Sequence, residues 1–144
     1  MMQLVDTHCH LDDPRYDEDR QDVLRRAWSN NVAFLVNASS DVVSARQAVA
    51  LAERDDRIFA AVGVHPHEAS TYDQKAEALI RELARSPRVV AIGEIGLDYY
   101  YDNSPREIQR IVFAKQMELA CELDMPIVIH SRDATQDTLD ILRE

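Results

Sequence analysis

Two histidines, His8 and His10, stand two residues apart at the end of a short apolar run that begins at Leu4. In a β-strand, residues i and i+2 point to the same face. Leu4, Asp6, His8 and His10 then share one face, and Val5, Thr7 and Cys9 the other. Two imidazoles on one face of a strand end can hold one metal ion. The plainer reading makes one histidine a satisfied polar group and leaves the other exposed. Polar residues recur at the ends of later apolar runs, at Asn37, His65, Glu94 and His130. Glu94 closes the run 89–92 and is expected on the inward face with Val90 and Ile92. A carboxylate there is costly unless it meets a cation or several hydrogen bonds. His130 is expected on the same face as Val128. His8, His10, Glu94 and His130 together offer mixed N/O ligation, suited to Zn²⁺, Mn²⁺ or, with more water and carboxylate, Mg²⁺. Glu94 has two oxygens and can bridge two ions. Two divalent ions ~3.5–4 Å apart stabilise both the attacking and the leaving oxygen of an in-line phosphoryl displacement.

The elements that position these residues read as alternating strands and helices. The first strand covers residues 4–8, and Asp17 can cap a helix that runs to about Asn30. Apolar residues 32–36 form a continuous run of the kind buried on both faces of a parallel sheet. Ser40 or Asp41 can cap the second helix, with Ala45, Ala48, Val49 and Ala52 on one stripe. A third strand, 58–64, leads into Gly63-Val64-His65-Pro66-His67, and a helix over 71–86 follows. The fourth strand runs into Gly93-Glu94-Ile95-Gly96-Leu97-Asp98. Pro105 opens the fourth helix, with Ile108, Val112, Phe113, Met117, Ala120 and Leu123 expected inside. The fifth strand is 126–130, and Asp133 can cap a fifth helix still running at Glu144.

This alternation predicts an α/β fold with a parallel sheet. No Gly-rich loop follows the first strand, which counts against a dinucleotide site. Chemically able residues at successive strand ends favour a barrel, where all such ends open on one face. A complete (β/α)8 barrel needs about 250 residues, and five units are present here.

The net charge is −10, so general attraction to nucleic acid is not expected and metal ions or clustered arginines must offset that field. Cys9 and Cys121 have no metal-type spacing. They read as free buried thiols of a reducing compartment, Cys9 in helix-facing core and Cys121 on an apolar stripe. The N-terminus has no signal-peptide character, and no apolar run approaches the ~20 residues of a membrane span. A cytoplasmic protein without membrane contact is expected.

Four segments carry a resemblance: Asp6-Thr7-His8-Cys9-His10-Leu11-Asp12, Gly63-Val64-His65-Pro66-His67, Gly93-Glu94-Ile95-Gly96-Leu97-Asp98-Tyr99-Tyr100 and Ile129-His130-Ser131-Arg132-Asp133-Ala134. In this order they resemble the successive motifs of the TatD family of metal-dependent deoxyribonucleases. The resemblance implies a TIM barrel of the metal-dependent hydrolase kind, of which residues 1–144 form one domain, the N-terminal portion with about five βα units. It implies two divalent ions (Mg, Mn or Zn), with His8 and His10 on the first, Glu94 bridging and His130 on the second. It places His65 near the substrate phosphate, so that Glu94 and His65 are the catalytic candidates. A 3'-5' exonuclease-like action on single-stranded DNA through a metal-activated water follows from it. The family continues with a histidine after the sixth strand and an aspartate after the eighth, which this chain lacks, so truncation relative to the family is expected.

Arg132 is a candidate phosphate clamp, with an ion pair as its plainer role. His67 is either a turn residue beside Pro66 or a metal ligand. Asp6 either orients a ligand histidine or makes an internal hydrogen bond, and Asp98 either supports a ligand from behind or is a loop acid. Tyr99, Tyr100 and Tyr101 either stack on bases or pack on their neighbours. Trp28 and Met117 read as core. The rival functions are a metal-dependent amide or ester hydrolase, acylated tRNA included, and an inactive fragment that self-associates through open sheet edges.

Overall fold

A computed structural model describes residues 2–143. Five strands, β1 (Leu4–Cys9), β2 (Val32–Ala38), β3 (Ile58–Val62), β4 (Val89–Asp98) and β5 (Ile127–Arg132), form one sheet in the order β1-β2-β3-β4-β5. Every neighbouring pair is parallel. A doubly wound sheet reverses its strand order part-way. This one never does, and each strand pairs with the next in sequence, as in a barrel. Helices α1 (Arg20–Ser29), α2 (Val42–Ala52), α3 (Gln74–Leu83), α4 (Arg106–Glu122) and α5 (Thr135–Ile141) alternate with the strands. The sheet is curled. β1 and β4 are three strand spacings apart, about 14 Å in a flat sheet, yet His8 and Glu94 side chains meet at 3.0 Å.

The main core lies between sheet and helices. Leu24, Ala48, Ile80, Phe113 and Ile141 from the five helices pack with Ile58, Val62, Ile92 and Ile95. The concave face carries a smaller group, Ala38, Ala61 and Ala91, with Val36 and Val128 against it. Small residues there leave room for the side chains at the strand ends.

Several boundaries differ from the sequence expectation. Asp17 does not cap α1: a 3-10 turn, Pro14–Tyr16, intervenes and the helix starts at Arg20. The third helix is shorter than 71–86: α3 is capped by the Asp73 carboxylate, which accepts from Lys75 N and Ala76 N, and a 3-10 segment, Pro66–Thr71, precedes it. Asp41 caps α2 in the same way, accepting from Val43 N and Ser44 N. Ala134, not Asp133, stands at the N-cap of α5, and that helix ends at Ile141 rather than running on; Glu144 lies outside the described residues. Ile108 is exposed, and Gln109 and Gln116 take the buried side of α4 instead. Cys121 is exposed rather than buried, whereas Cys9, Trp28 and Met117 pack against the core.

The largest correction concerns Glu94. Ile92 belongs to the helix-side core, so it does not point into the barrel. The pairing register of β4 with β5 shifts between Ile92 and Ile95. That shift, and not strict alternation from Ile92, turns Glu94 to the concave face.

Candidate metal centre

Glu94 sits at the middle of the site, 6% exposed, with its two oxygens facing different partners. Oε2 meets His8 Nε2 at 3.0 Å and His10 Nε2 at 3.6 Å, and Oε1 meets His130 Nδ1 at 3.0 Å. The two Nε2 atoms of His8 and His10 are 3.3 Å apart. Burial alone would push the Glu94 carboxyl upward. The hydrogen bond from His130 and the charges of His8, His65 and His130 outweigh it and hold the group down at about 2. It is therefore an anion at neutral pH.

Each donor is oriented by the chain. His10 Nδ1 faces Ala38 O at 2.8 Å; the carbonyl can only accept, so Nδ1 carries the hydrogen and Nε2 keeps its lone pair. The segment bearing His10 is tied down by a buried set. Leu11 N donates to Asn37 Oδ1, Asn37 Nδ2 donates to Asp12 at 2.7 Å, and Ser44 Oγ donates to the other oxygen of Asp12. On the other side, Gly96 lets β4 close on β5. It has φ 143°, and a Cβ there would run into the backbone oxygen of His130.

Two glutamines of α4 hold the strand ends. Gln116 brackets Val64, accepting from its N at 2.8 Å and donating to its O at 2.9 Å. Gln109 does the same to Asp98, at 2.8 and 3.0 Å, and donates also to Ser104 O at 2.8 Å. Both side chains are fully buried.

Asp98 is not a loop acid. It ends β4, is 0% exposed and accepts through Oδ2 from His130 Nε2 (2.8 Å) and His67 Nε2 (3.0 Å). Burial opposes its charge, but the amide of Tyr101 and the two imidazoles hold it at about 2. With Nε2 donating to Asp98, His130 turns Nδ1 toward Glu94, the arrangement by which a carboxylate orients a ligand histidine. Its hydrogen bond to Glu94 raises the His130 pKa, against burial and with help from Asp98.

The donor set fits a divalent ion. Zinc holds N and O ligands at about 2.0–2.2 Å, so adjacent ligand atoms of a tetrahedral site lie about 3.3–3.6 Å apart. The His8, His10 and Glu94 atoms are separated by 3.0, 3.3 and 3.6 Å. His65, Glu94 and His130 form a second group of converging donors. In that group His65 has a different character. Its Nδ1 accepts from His67 N at 3.1 Å, and burial, followed by the charge of His130, pushes its pKa down to about 4. The ring is neutral at pH 7, with its hydrogen on Nε2, so it is built to donate a hydrogen bond.

A family model described as TatD related DNase matches residues 5–144. This chain belongs to the TatD family. It is 44% identical over 98% of its length to an uncharacterized metal-dependent hydrolase, YabD, of Bacillus subtilis, and covers 55% of that protein. It is 35% identical over 96% of its length to the 3'-5' ssDNA/RNA exonuclease TatD of Enterobacter lignolyticus, covering 54% of it. The crystal structure of YJJV, a TatD homolog from Escherichia coli, superposes with a TM-score of 0.90 at 30% identity, over 97% of this chain and 55% of that one. The chain thus spans about half the length of the curated relatives it matches. The fold is that of a partial TIM barrel.

All five histidines of this TatD-family chain gather at the strand ends. Ring centroids lie 5.0 Å apart for His8 and His10, 4.3 Å for His65 and His130, and 4.4 Å for His65 and His67. His67 is outside both groups of converging donors and is bound to Asp98. Asp6 does not reach an imidazole nitrogen; its carboxylate accepts from His8 N at 3.1 Å. Arg132 stands exposed at the end of β5, and none of the ion pairs among the described residues includes it. Beside the donors lies a cleft of about 520 Å³ whose wall includes Asp12, Asp13, Asp41 and Glu68. Gln109 and Gln116 are the positioning residues the sequence does not single out, and Asn37 and Asp12, at a strand end and in the first motif, prove to be positioning residues as well. Gln109 and Gln116 carried a signal, since both share the helical stripe of Val112, Phe113 and Ala120.

Proposed function

We propose that this protein is a two-metal phosphodiesterase that shortens single-stranded DNA from its 3' end. One observation carries the reading: the two oxygens of the buried Glu94 face different imidazole groups, His8 at 3.0 Å and His130 at 3.0 Å. In this reading His8 and His10 hold the first ion, Glu94 bridges and His130 holds the second. Bound divalent ions supply the positive charge that a phosphodiester needs and bring water to nucleophilic strength at neutral pH. The chain's own residues do the rest. His65, neutral and with Nε2–H turned into the site, donates to a non-bridging phosphate oxygen. Arg132 clamps a phosphate further out. Asp98 keeps His130 in the orientation that presents Nδ1 to Glu94. The name of the Enterobacter relative supports the substrate and polarity.

Among the described residues, His8, His10 and Glu94 give three donors to the first ion, and Glu94 with His130 gives two to the second. The ligand set of the whole enzyme is therefore completed from outside these five strands. The domain reading is the same: residues 1–144 act as one unit, the N-terminal portion of a barrel. The outer edges of β1 and β5 have no strand partner among the described residues, so these 144 residues alone self-associate through them, which sedimentation tests. No described helix is long and apolar enough to cross a membrane. With two free thiols the protein belongs in the cytoplasm, which cell fractionation tests.

The experiment is a chelation and rescue series. A 5'-labelled single strand is expected to shorten stepwise in Mg²⁺ or Mn²⁺, to survive in EDTA, and to shorten again when the ion is restored. Cleavage that persists through chelation contradicts the reading. Hydrolysis of an amide or ester, acylated tRNA included, without cleavage of oligonucleotides reassigns the same donors to acyl chemistry.

A further inference from the structure

We propose that Tyr100, Tyr101 and Arg132 form a nucleotide subsite at the mouth of the metal centre, with bases resting on the tyrosine rings and a phosphate on the guanidinium. The inference rests on the nuclease reading above and adds where the strand lies.

Tyr100 and Tyr101 are 65% and 54% exposed, whereas Tyr99 packs against the core and donates from its hydroxyl to Asp137 at 2.6 Å. The three neighbouring tyrosines thus divide into one structural ring and two free ones. The free rings meet edge to face, centroids 4.7 Å apart. Tyr101 lies 5.4 Å from the ring of His67, His67 lies 4.4 Å from His65, and His65 lies 4.3 Å from His130. A chain of ring contacts therefore runs from the exposed tyrosines through the buried His65 to the candidate metal ligands. Bases stack on such surfaces whatever their sequence.

The platform is fixed in register with the chemistry. Asp98 Oδ1 accepts from Tyr100 N at 3.1 Å and Tyr101 N at 2.9 Å, while Oδ2 takes His67 and His130. One buried carboxylate holds both the loop that presents the rings and a metal ligand. The Arg132 guanidinium carbon lies 5.4 Å from the Tyr101 centroid and 5.9 Å from that of Tyr100. Nearby arginines are committed elsewhere, Arg106 to Asp102 and Arg110 to Asp137, and Arg132 is not. The cleft that shares His10, His65 and Glu94 with the donors carries four further carboxylates and one arginine, Arg15, which is paired with Asp13. Away from the donors that cleft is net acidic, whereas Arg132 offers an uncommitted cation, so the strand leaves the site over the tyrosines.

Fluorescence anisotropy tests this on the full chain with Mn²⁺. The probes are a short oligothymidine with phosphorothioate links to block cutting, and the same backbone without bases. The natural protein is expected to bind the base-bearing strand about tenfold tighter than the base-free one. A Tyr100→Ala/Tyr101→Ala variant loses that preference and a Tyr100→Phe/Tyr101→Phe variant keeps it. Arg132→Gln weakens both strands alike and lowers the salt slope by about one. Equal binding of the two strands by the natural protein, or an undiminished preference in the double alanine variant, overturns the subsite. A parallel cleavage assay on ordinary oligothymidine separates the two claims. Base preference without cleavage supports the subsite and defeats the nuclease reading, and cleavage without base preference does the reverse.

Discussion

The two sides of the metal centre are built differently. His8 comes from β1, an edge strand whose residues from Leu4 to His8 are all exposed, and His10 stands just beyond its end; they rest on a single carbonyl and a carboxylate network. Glu94 comes from β4, backed by the fully buried polar groups Asp98, Gln109 and Gln116, and His130 comes from β5, the opposite edge strand, where Asp98 holds it. One side is pre-set by side chains with no solvent to compete for them. The other leaves its imidazoles open to water, and its buried set, Asn37, Asp12 and Ser44, ties down the segment beyond them. Placement of Glu94 is thus set mainly from the β4–α4 side, and His8 and His10 approach it from the open side.

The contrast gives a ladder of expected effects. Glu94→Gln removes the charge common to both sides and should lower hydrolysis by about a thousandfold, near 4 kcal/mol of transition-state stabilisation. A loss under tenfold would mean that the two sides do not depend on it. Gln109→Leu leaves the amide and carbonyl of Asp98 without partners in a dry site, and should cost about 2–4 kcal/mol, read as a lower urea midpoint. Asp6→Ala, which removes one hydrogen bond on the exposed edge, should cost less than about 0.5 kcal/mol in the same assay. Equal costs would erase the contrast. Asp98→Asn should weaken metal binding by about 10–100-fold with most of the stability retained, measured by calorimetric titration.

The smallest effect concerns thiols. Burial, then the charge of Asp6, pushes the Cys9 thiol up to about 12, so almost none of it is thiolate at pH 8. Maleimide is therefore expected to modify the exposed Cys121 and spare Cys9 in the native state, read by peptide mass mapping. Labelling of Cys9 at a comparable rate would show that the edge strand opens freely.

The same contrast explains what could be read in the sequence. Strand ends were legible because each closes an apolar run, and His8, His10, His65, Glu94 and His130 all arrive at one site. The inward orientation of Glu94 does not follow from strand alternation. Alternation from Ile92 fails at a register shift, and nothing in residues 89–94 announces one except Gly93. Gln109 and Gln116 were hidden because a polar residue on a helix reads as solvent-facing, although their spacing places them on the buried stripe. Asp98 was undervalued because its partners, His67 and His130, lie more than 30 residues away on either side. Long-range polar pairing leaves no periodic trace.

The central claim is that one carboxylate joins the two sides, and ring-nitrogen NMR of the histidines during a Zn²⁺ titration tests it most directly. In the natural protein the resonances of His8, His10 and His130 are expected to shift together. In Glu94→Gln all three should need at least about tenfold more Zn²⁺. If His8 and His10 respond at unchanged Zn²⁺ in the variant while only His130 is lost, or the reverse, the two sides bind independently and Glu94 does not join them.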